Sequence, residues 1–137
     1  MANIALATAN TVSIVESIHQ MTLPAAEAIT PGAPVRLDTS TGKFTNANGS
    51  SSGEARVWGI ATGKKAIPAG WPVTVIRRGV LDGFTFSQAY DAAIYLSDTD
   101  GRLADAAGTV STVVGRVIPA TANLTGASYD KLLSVEL

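Results

Sequence analysis

The fold is decided by residues 57–84, VWGIATGKKAIPAGWPVTVIRRGVLDGF. Two apolar segments flank a turn region that contains Pro68, Gly70 and Pro72. In the second segment β-branched side chains alternate with a period of two, which is typical of a pleated strand. Gly79 interrupts that pattern and predicts a bulge or a sharp bend. The stretch therefore predicts a strand, a turn and a longer strand.

Length and composition limit the number of domains and the classes of partner that the chain can have. A chain of 137 residues suits one domain, and a domain of that size buries roughly two thirds of its unfolded surface. Hydrophobic residues make up 46% and charged residues 15%, so the surface is weakly charged, which suits an assembly. A net charge of -1 without a basic stripe argues against nucleic-acid binding.

The chain has no cysteine, which removes disulfides, thiol catalysis and thiolate metal sites. Its first residues lack a positively charged leader before an apolar run, and no window reaches the ~18 apolar residues of a membrane span. We therefore expect neither export by a signal peptide nor a place in the membrane.

The first part of the chain predicts an arm, a strand and a hairpin. Residues 1–10 are small and uncharged and predict an extended arm that adds little to a core, ahead of a β body over residues 11–137. Residues 11–23 fit a strand or one helical face, and β-branched side chains favour the strand. Residues 34–46 predict a hairpin, and the polar NGSSSG at 48–53 predicts a mobile, exposed loop.

The second part of the chain predicts further strands. Residues 84–93 fit a short helical turn or a wide loop, and residues 94–104 predict a second hairpin. The last strands are predicted at 112–118 and 131–136, with a long polar loop over 119–129 between them.

One hairpin-plus-strand unit occurs twice. Residues 33–47 align with residues 92–106, and each copy is followed by an apolar strand that contains a glycine, Gly59 or Gly115. A third, shorter match links ITPGAPVRL with IPAGWPVTV. Duplication explains all three matches, whereas the alternative is that similar turns use similar residues, since Gly and Pro recur where strands begin.

The candidate catalytic and metal motifs are incomplete. SDTDG places Asp98 and Asp100 as in a calcium loop, but Leu96 and Ala107 stand where that loop needs carboxylates, which favours a turn stabilised by Asp side chains. His19 is the single histidine, GIATGKK lacks phosphate-loop spacing, and no GxSxG occurs. We expect no catalytic residue, no metal site and no cofactor, and therefore no enzyme.

Three residues are unusual for a domain that does not associate with other chains. Trp71 lies in a turn, so it packs either on the core or against another subunit. Arg77 and Arg78 are adjacent on a strand and point to opposite faces; we expect one to be solvated and the other to form an ion pair. All three are candidate inter-subunit residues.

Over about residues 29–118 the chain resembles tailed-phage head decoration, or cement, proteins. The resemblance lies in the order of four segments, which are PGAPVRL, GKFTNA, VWGIATG and IPAGWPVTVIRRGVLDG. That resemblance implies a small β-barrel or sandwich of the β-clip or β-tulip type. It also implies a homotrimer that binds the major capsid protein on the outer surface of the head. The arm and the loop at 119–129 lie outside the pattern.

We therefore expect a structural protein of the virion rather than an enzyme. A tail- or fibre-associated β module and an enzyme of the β-clip type are the alternatives. An uncharged extended arm can add a strand to a sheet edge of another chain, with Ile4 and Leu6 filling shallow pockets. The predicted capsid-binding residues are Ala2, Asn3, Ile4, Ala5 and Leu6.

Overall fold

The computed structural model describes residues 2–119 and 131–137, and within them the chain is all β, without a helix. The strands are β1 Ala5–Leu6, β2 Ser13–Pro24, β3 Pro34–Leu37, β4 Phe44–Asn46, β5 Gly59–Thr62, β6 Pro72–Asp82, β7 Phe84–Thr85, β8 Ala93–Leu96, β9 Leu103–Ala104, β10 Val113–Pro119 and β11 Lys131–Glu136. The mainly β prediction is confirmed, as is a strand at 11–23. Beyond Pro119, the predicted loop at 119–129 lies outside the described residues.

The long strand β6 organises the sheet. Along one edge it pairs with β2 from end to end, and along the other it pairs first with β5 and then with β11. From β5 the sheet continues through β3 to β4, and from β11 it continues through β10 and β8 to β9. The result is a strongly curled, half-barrel sheet. All the pairings are antiparallel.

Gly79, which is predicted to mark a bulge or a bend, lies beside the point where β6 changes partners from β5 to β11. Gly79 has φ +154°, and a Cβ there would lie 2.3 Å from the backbone oxygen of Glu16 on β2. The register between β2 and β6 also shifts next to this position. A glycine is required because any side chain would collide with the neighbouring strand. Gly79 thus lets β2 and β6 approach closely just past the point where the pairing of β6 changes from β5 to β11.

The core consists of two clusters. Val73 and Val75 of β6 pack with Phe44 in the smaller cluster, whereas Ile76 and Leu81 belong to the larger one. Neighbouring residues of a strand point to opposite faces, so Val75 and Ile76 separate the two clusters. Strand β6 is thus buried on both faces at Val75 and Ile76, which an alternation of period two does not by itself predict.

The two sequence copies have the same local structure. The hairpins β3–β4 and β8–β9 turn at Gly42 and Gly101, with φ +71° and +68°. At matching positions, the side chains of Asp38 and Ser97 each accept a hydrogen bond from the backbone N–H two residues later, at 2.8 and 3.0 Å. In each copy the following strand then pairs with the first strand of the hairpin.

The N-terminal arm packs on its own chain. Ile4 is only 6% exposed and belongs to the larger core cluster, against which Leu6 also packs. Strand β1 pairs with β7, and Asn3 bridges to Ala104. The prediction that the arm adds little to the core is wrong for Ile4. The reason is that β7 and β9 offer backbone groups within the same chain, which spacing along the sequence does not show.

The loop at 48–53 is ordered at its start. Asn48 is buried, and its Nδ2 donates to Asp100 Oδ1 at 3.0 Å. The backbone of Gly49 donates to Ser97 and accepts from Val110. Only residues 50–53 are exposed. The prediction of an exposed loop therefore fails for Asn48 and Gly49, because polar side chains and backbone groups can pack when they find hydrogen-bond partners.

Candidate interaction surfaces

Strand β2 is exposed on both of its faces. Only Met21 and Leu23, near its end, are half-buried. Ile14, Val15 and Ile18 are 42%, 57% and 68% exposed. An antiparallel strand normally buries one face against a core, whereas the first two thirds of β2 are exposed on both faces and carry these three large apolar side chains.

Irregular pairing sets apart two of these apolar residues. The register shifts between Ile14 and Glu16 and again between Ser17 and His19, so Val15 and Ile18 lack a paired residue on β6. Extra residues of this kind bend a strand and increase its twist. Such bulges also hinder indiscriminate pairing at a sheet edge. The exposed surface of β2 is therefore irregular, and we expect it to pair selectively rather than with any available strand.

The outer edge of β2 is unpaired along its length in the part of the chain that the structure describes, since β6 is its one strand partner there. An edge strand presents a row of backbone N–H and C=O groups. Those groups can accept a strand from another molecule by β-augmentation. Strand β2 thus combines apolar side chains with free backbone hydrogen-bonding groups.

Trp71 lies at the far end of the same strand pair. It is 64% exposed, so packing on the core, one of the two predicted alternatives, is wrong. Its backbone holds the turn: the oxygen accepts from Ala25 at 2.8 Å and the nitrogen donates to Pro68 at 3.1 Å. The indole is therefore displayed on a fixed turn, next to where Pro24 of β2 pairs with Pro72 of β6.

Arg77 and Arg78 differ in their surroundings. Arg78 is exposed and pairs across the strands with His19. Arg77 is half-buried, lies 5.4 Å from the Trp58 ring centre and donates from Nη1 to the Trp58 backbone oxygen at 3.3 Å. The predicted ion pair is wrong for both residues among the described residues, because the ion pairs there belong to Arg116. An aromatic ring takes the place of a carboxylate at Arg77.

The arm residues form a second surface. Ala2 donates from its backbone nitrogen to Asp105 Oδ1 at 2.8 Å, and Asn3 Oδ1 accepts from Ser97 Oγ at 2.7 Å. Ala2, Asn3 and Ala5 are exposed while the side chain of Ile4 points into the core. Among the described residues, no hydrogen bond, ion pair or ring contact joins the arm to the predicted inter-subunit residues. The two predicted sets are therefore separate surfaces.

The aspartates of SDTDG take structural roles. Asp98 accepts hydrogen bonds from the backbone and the hydroxyl of Thr109 at 2.9 and 2.8 Å, and Asp100 accepts from Asn48. Over residues 2–119 and 131–137, no three His, Cys, Asp or Glu residues lie close enough to hold a metal ion. His19 contacts Trp58 edge-on, with ring centres 5.3 Å apart. These contacts give Asp98, Asp100 and His19 structural roles within the fold.

Two features of the structure are not visible in the sequence. The alternation within residues 11–23 predicts the strand β2, but it does not predict that the strand is exposed on both faces. A groove of about 600 Å³ also brings together Arg36, Arg56 and Arg77 beside Trp58. These residues come from separate segments, so no local spacing could have indicated that they meet.

Comparison with protein-family models, curated proteins and solved structures found no match for this chain. No helix in the described parts of the chain is long and apolar enough to cross a membrane. What the protein does is therefore inferred from its own surfaces.

Proposed function

We propose that this chain is a structural decoration protein of a tailed-phage head, that it assembles as a homotrimer, and that it binds the major capsid protein on the outer surface of the head. The exposed strand β2 is the observation that carries this proposal, since it supplies the surface that a subunit interface needs. The sequence resemblance over residues 29–118 supplies the kind of assembly, and the curled β sheet is compatible with the β-clip or β-tulip type.

Strand β2 supports self-association by its size and chemistry. Fully burying a large aliphatic side chain stabilises a complex by roughly 1.5–3 kcal/mol. Ile14, Val15 and Ile18 are about half exposed, so together they contribute on the order of 3–4 kcal/mol. That falls at or below the estimated ~4–15 kcal/mol of lost translational and rotational freedom. Backbone pairing at the β2 edge must therefore add to apolar burial.

A closed ring fits a surface of this kind. When β2 of one subunit contacts a different surface of the next, the interface is heterologous, and a rotation that closes gives a trimer. Trp71, which is exposed at the other end of the β2–β6 pair, offers a second apolar contact to a neighbouring subunit. Contacts that are individually weak become strong when they are repeated on one lattice, which suits a protein that staples capsid subunits.

The capsid contact is proposed for the exposed arm residues. Ala2, Asn3 and Ala5 lie on the surface, while Ile4 anchors them in the core. The arm would then offer the capsid a fixed edge, which involves less loss of conformational freedom on binding than ordering a free tail. In the free protein the arm is therefore expected to be ordered.

The test compares two aspartate variants by sedimentation equilibrium at micromolar concentration. Val15 on β2 and Val113 on β10 are both valines exposed by about half. The wild type is expected to have the mass of a trimer, and Val15→Asp the mass of a monomer, because a charge in an apolar interface is strongly unfavourable. Val113→Asp is the matched control and should remain trimeric.

Capsid binding is measured by co-sedimentation with heads that lack decoration. Wild type should sediment with them at a fixed ratio to the major capsid protein. A monomeric wild type that also fails to bind would overturn the proposal. A trimer that does not bind heads would favour the tail or fibre module instead.

A further inference from the structure

The groove between β3, the segment before β5 and β6 carries an unusual concentration of positive charge. It has a volume of about 600 Å³ and is lined by Arg36, Leu37, Thr39, Gly53, Arg56, Val57, Trp58 and Arg77. Three of the six arginines of the chain therefore line one groove, and none of the lining residues is acidic. In a protein with a net charge of -1, this is a local excess of charge that its own residues leave uncompensated.

The arginines of the groove lack the partners that arginine has elsewhere in this protein. Arg116 pairs with Asp91 at 3.0 Å and with Glu136 at 3.1 Å. Its pKa is raised, chiefly by the hydrogen bond and the charge of Glu136 and then by Asp91. Arg36 and Arg56 make no ion pair and no side-chain hydrogen bond with any described residue. Their hydrogen-bonding capacity is unused within this part of the chain.

Arg36 lines the groove with donors that the fold leaves unused. Its Nε is buried and has no hydrogen-bond partner among the described residues. A buried donor without a partner is unfavourable, and such groups in native proteins call for an explanation. A guanidinium presents its N–H donors in a fixed planar array that matches the two oxygens of a carboxylate or phosphate. Because Nε is covered by the protein, an oxyanion in the groove would bind the Nη donors of Arg36, which are not buried and which no described residue uses.

Arg77 is held in position for the same purpose. Its guanidinium lies over the Trp58 ring, and one Nη1–H is used by the Trp58 backbone oxygen. The Trp58 ring is itself fixed by contacts with His19 at 5.3 Å and Phe44 at 5.6 Å. A side chain that is already oriented loses less freedom when it binds a ligand. The remaining donors of Arg77 are thus pre-organised at the groove.

We infer that this groove binds an oxyanion that carries two or more negative charges, with its charged groups between Arg36, Arg56 and Arg77. The volume is in the range of small-molecule sites, which exceeds what a single inorganic ion fills. Leu37, Val57 and Trp58 offer apolar surface for the uncharged part of an organic anion. The inference concerns a small ligand and is independent of the proposed trimer and of capsid binding.

The experiment follows the fluorescence of Trp58, which lines the groove. The chain has two tryptophans, so Trp71→Phe leaves Trp58 as the single reporter. Citrate and pyrophosphate are titrated separately at about 0.15 M NaCl, and they distinguish a carboxylate from a phosphate ligand. Acetate is the singly charged control. A saturable change is expected with at least one of the two multivalent probes and not with acetate.

Charge-matched variants test the position of the site. In the Trp71→Phe background, Arg36→Gln and Arg56→Gln are each expected to weaken binding of the responding probe about tenfold or more, because each loses a charge-assisted hydrogen bond. Arg102→Gln removes the same charge from an exposed position outside the groove and should bind as the parent does. Melting temperatures without ligand establish that each variant is folded.

Two results would overturn the inference. One is the absence of any saturable response to both probes up to about 10 mM, a concentration far above that of typical specific ligands. The other is an equal loss of affinity in Arg102→Gln and Arg56→Gln, which would show that the probes respond to overall charge rather than to the groove. Normal trimer formation by Arg36→Gln and Arg56→Gln made in the chain that keeps Trp71 would confirm that the two surfaces act separately.

Discussion

Truncating Ile4 should destabilise the protein, and the same substitution at Ile18 should not. Ile4 is 6% exposed and packs in the larger core cluster, whereas Ile18 is 68% exposed on β2. Ile4→Ala and Ile18→Ala remove the same atoms from the same residue type in an extended segment. The pair therefore isolates burial, and it tests whether the arm belongs to the fold or hangs free.

The expected sizes follow from burial. Truncating a buried isoleucine to alanine lowers the free energy of unfolding by ~2–5 kcal/mol. Ile4 lies near the first residues of the chain, immediately before the short strand β1, where neighbours can relax, so we expect ~2–3 kcal/mol. For a chain of 137 residues this corresponds to a fall in Tm of about 6–15 °C. Ile18→Ala should change the free energy of unfolding by less than about 0.5 kcal/mol.

The assay is urea unfolding followed by circular dichroism and by tryptophan fluorescence. Both variants are measured at two protein concentrations, because unfolding of an associated form depends on concentration. At the lower concentration, equal free energies for the two variants would refute the packing of Ile4. At the higher concentration, Ile18→Ala should lose stability if β2 lies in a subunit interface. Deleting residues 2–10 should likewise destabilise the fold, contrary to the behaviour of a free arm.

The remaining predictions concern close packing and the polar loop. Gly115→Ala would place a Cβ 2.0 Å from the backbone oxygen of Ser134, whereas Gly53 has nothing within 4 Å; we expect Gly115→Ala to cost ~3 kcal/mol or more by overpacking and Gly53→Ala to be almost neutral in chemical unfolding. A flexible six-residue insert after Ser52 should shift Tm by only a few degrees, since loop closure depends weakly on length. The same insert after Asn48 should cause a much larger fall in Tm, and equal tolerance at both positions would contradict the packing of Gly49.

Local sequence determined the strands and the turns of this protein. The alternation in residues 57–84 predicts β5 and β6, because period two places one face toward a core. Gly79 marks the bend, since no other residue fits against the neighbouring strand. The alignment of residues 33–47 with 92–106 predicts two similar hairpins, and Gly42 and Gly101 have almost the same φ. The alternation and the hairpin turns depend on residues close together in the chain, whereas the need for glycine at position 79 comes from Glu16 on β2, which is distant in sequence.

Tertiary structure alone decided which of those elements are covered. Strand β2 has the pattern of a half-buried strand, yet its face is exposed because nothing in the described chain packs over it. Ile4 is one of few large apolar residues in an arm of mostly small residues, yet it is buried because the arm pairs with β7 and β9. Local patterns set what a segment can pair with, but which partner arrives depends on contacts between residues distant in sequence.

The same distinction applies to the candidate sites. The sequence alone indicates that Trp71 and Arg77 are unusual, because a large aromatic residue in a turn and adjacent arginines on a strand can be recognised without the structure. It did not indicate the groove, because Arg36, Arg56 and Arg77 come together only when β3 and β6 flank β5. The three arginines line one groove although like charges repel. Their positions are fixed by the backbone hydrogen bonds of the sheet and by the apolar core, which outweigh the repulsion between the side chains.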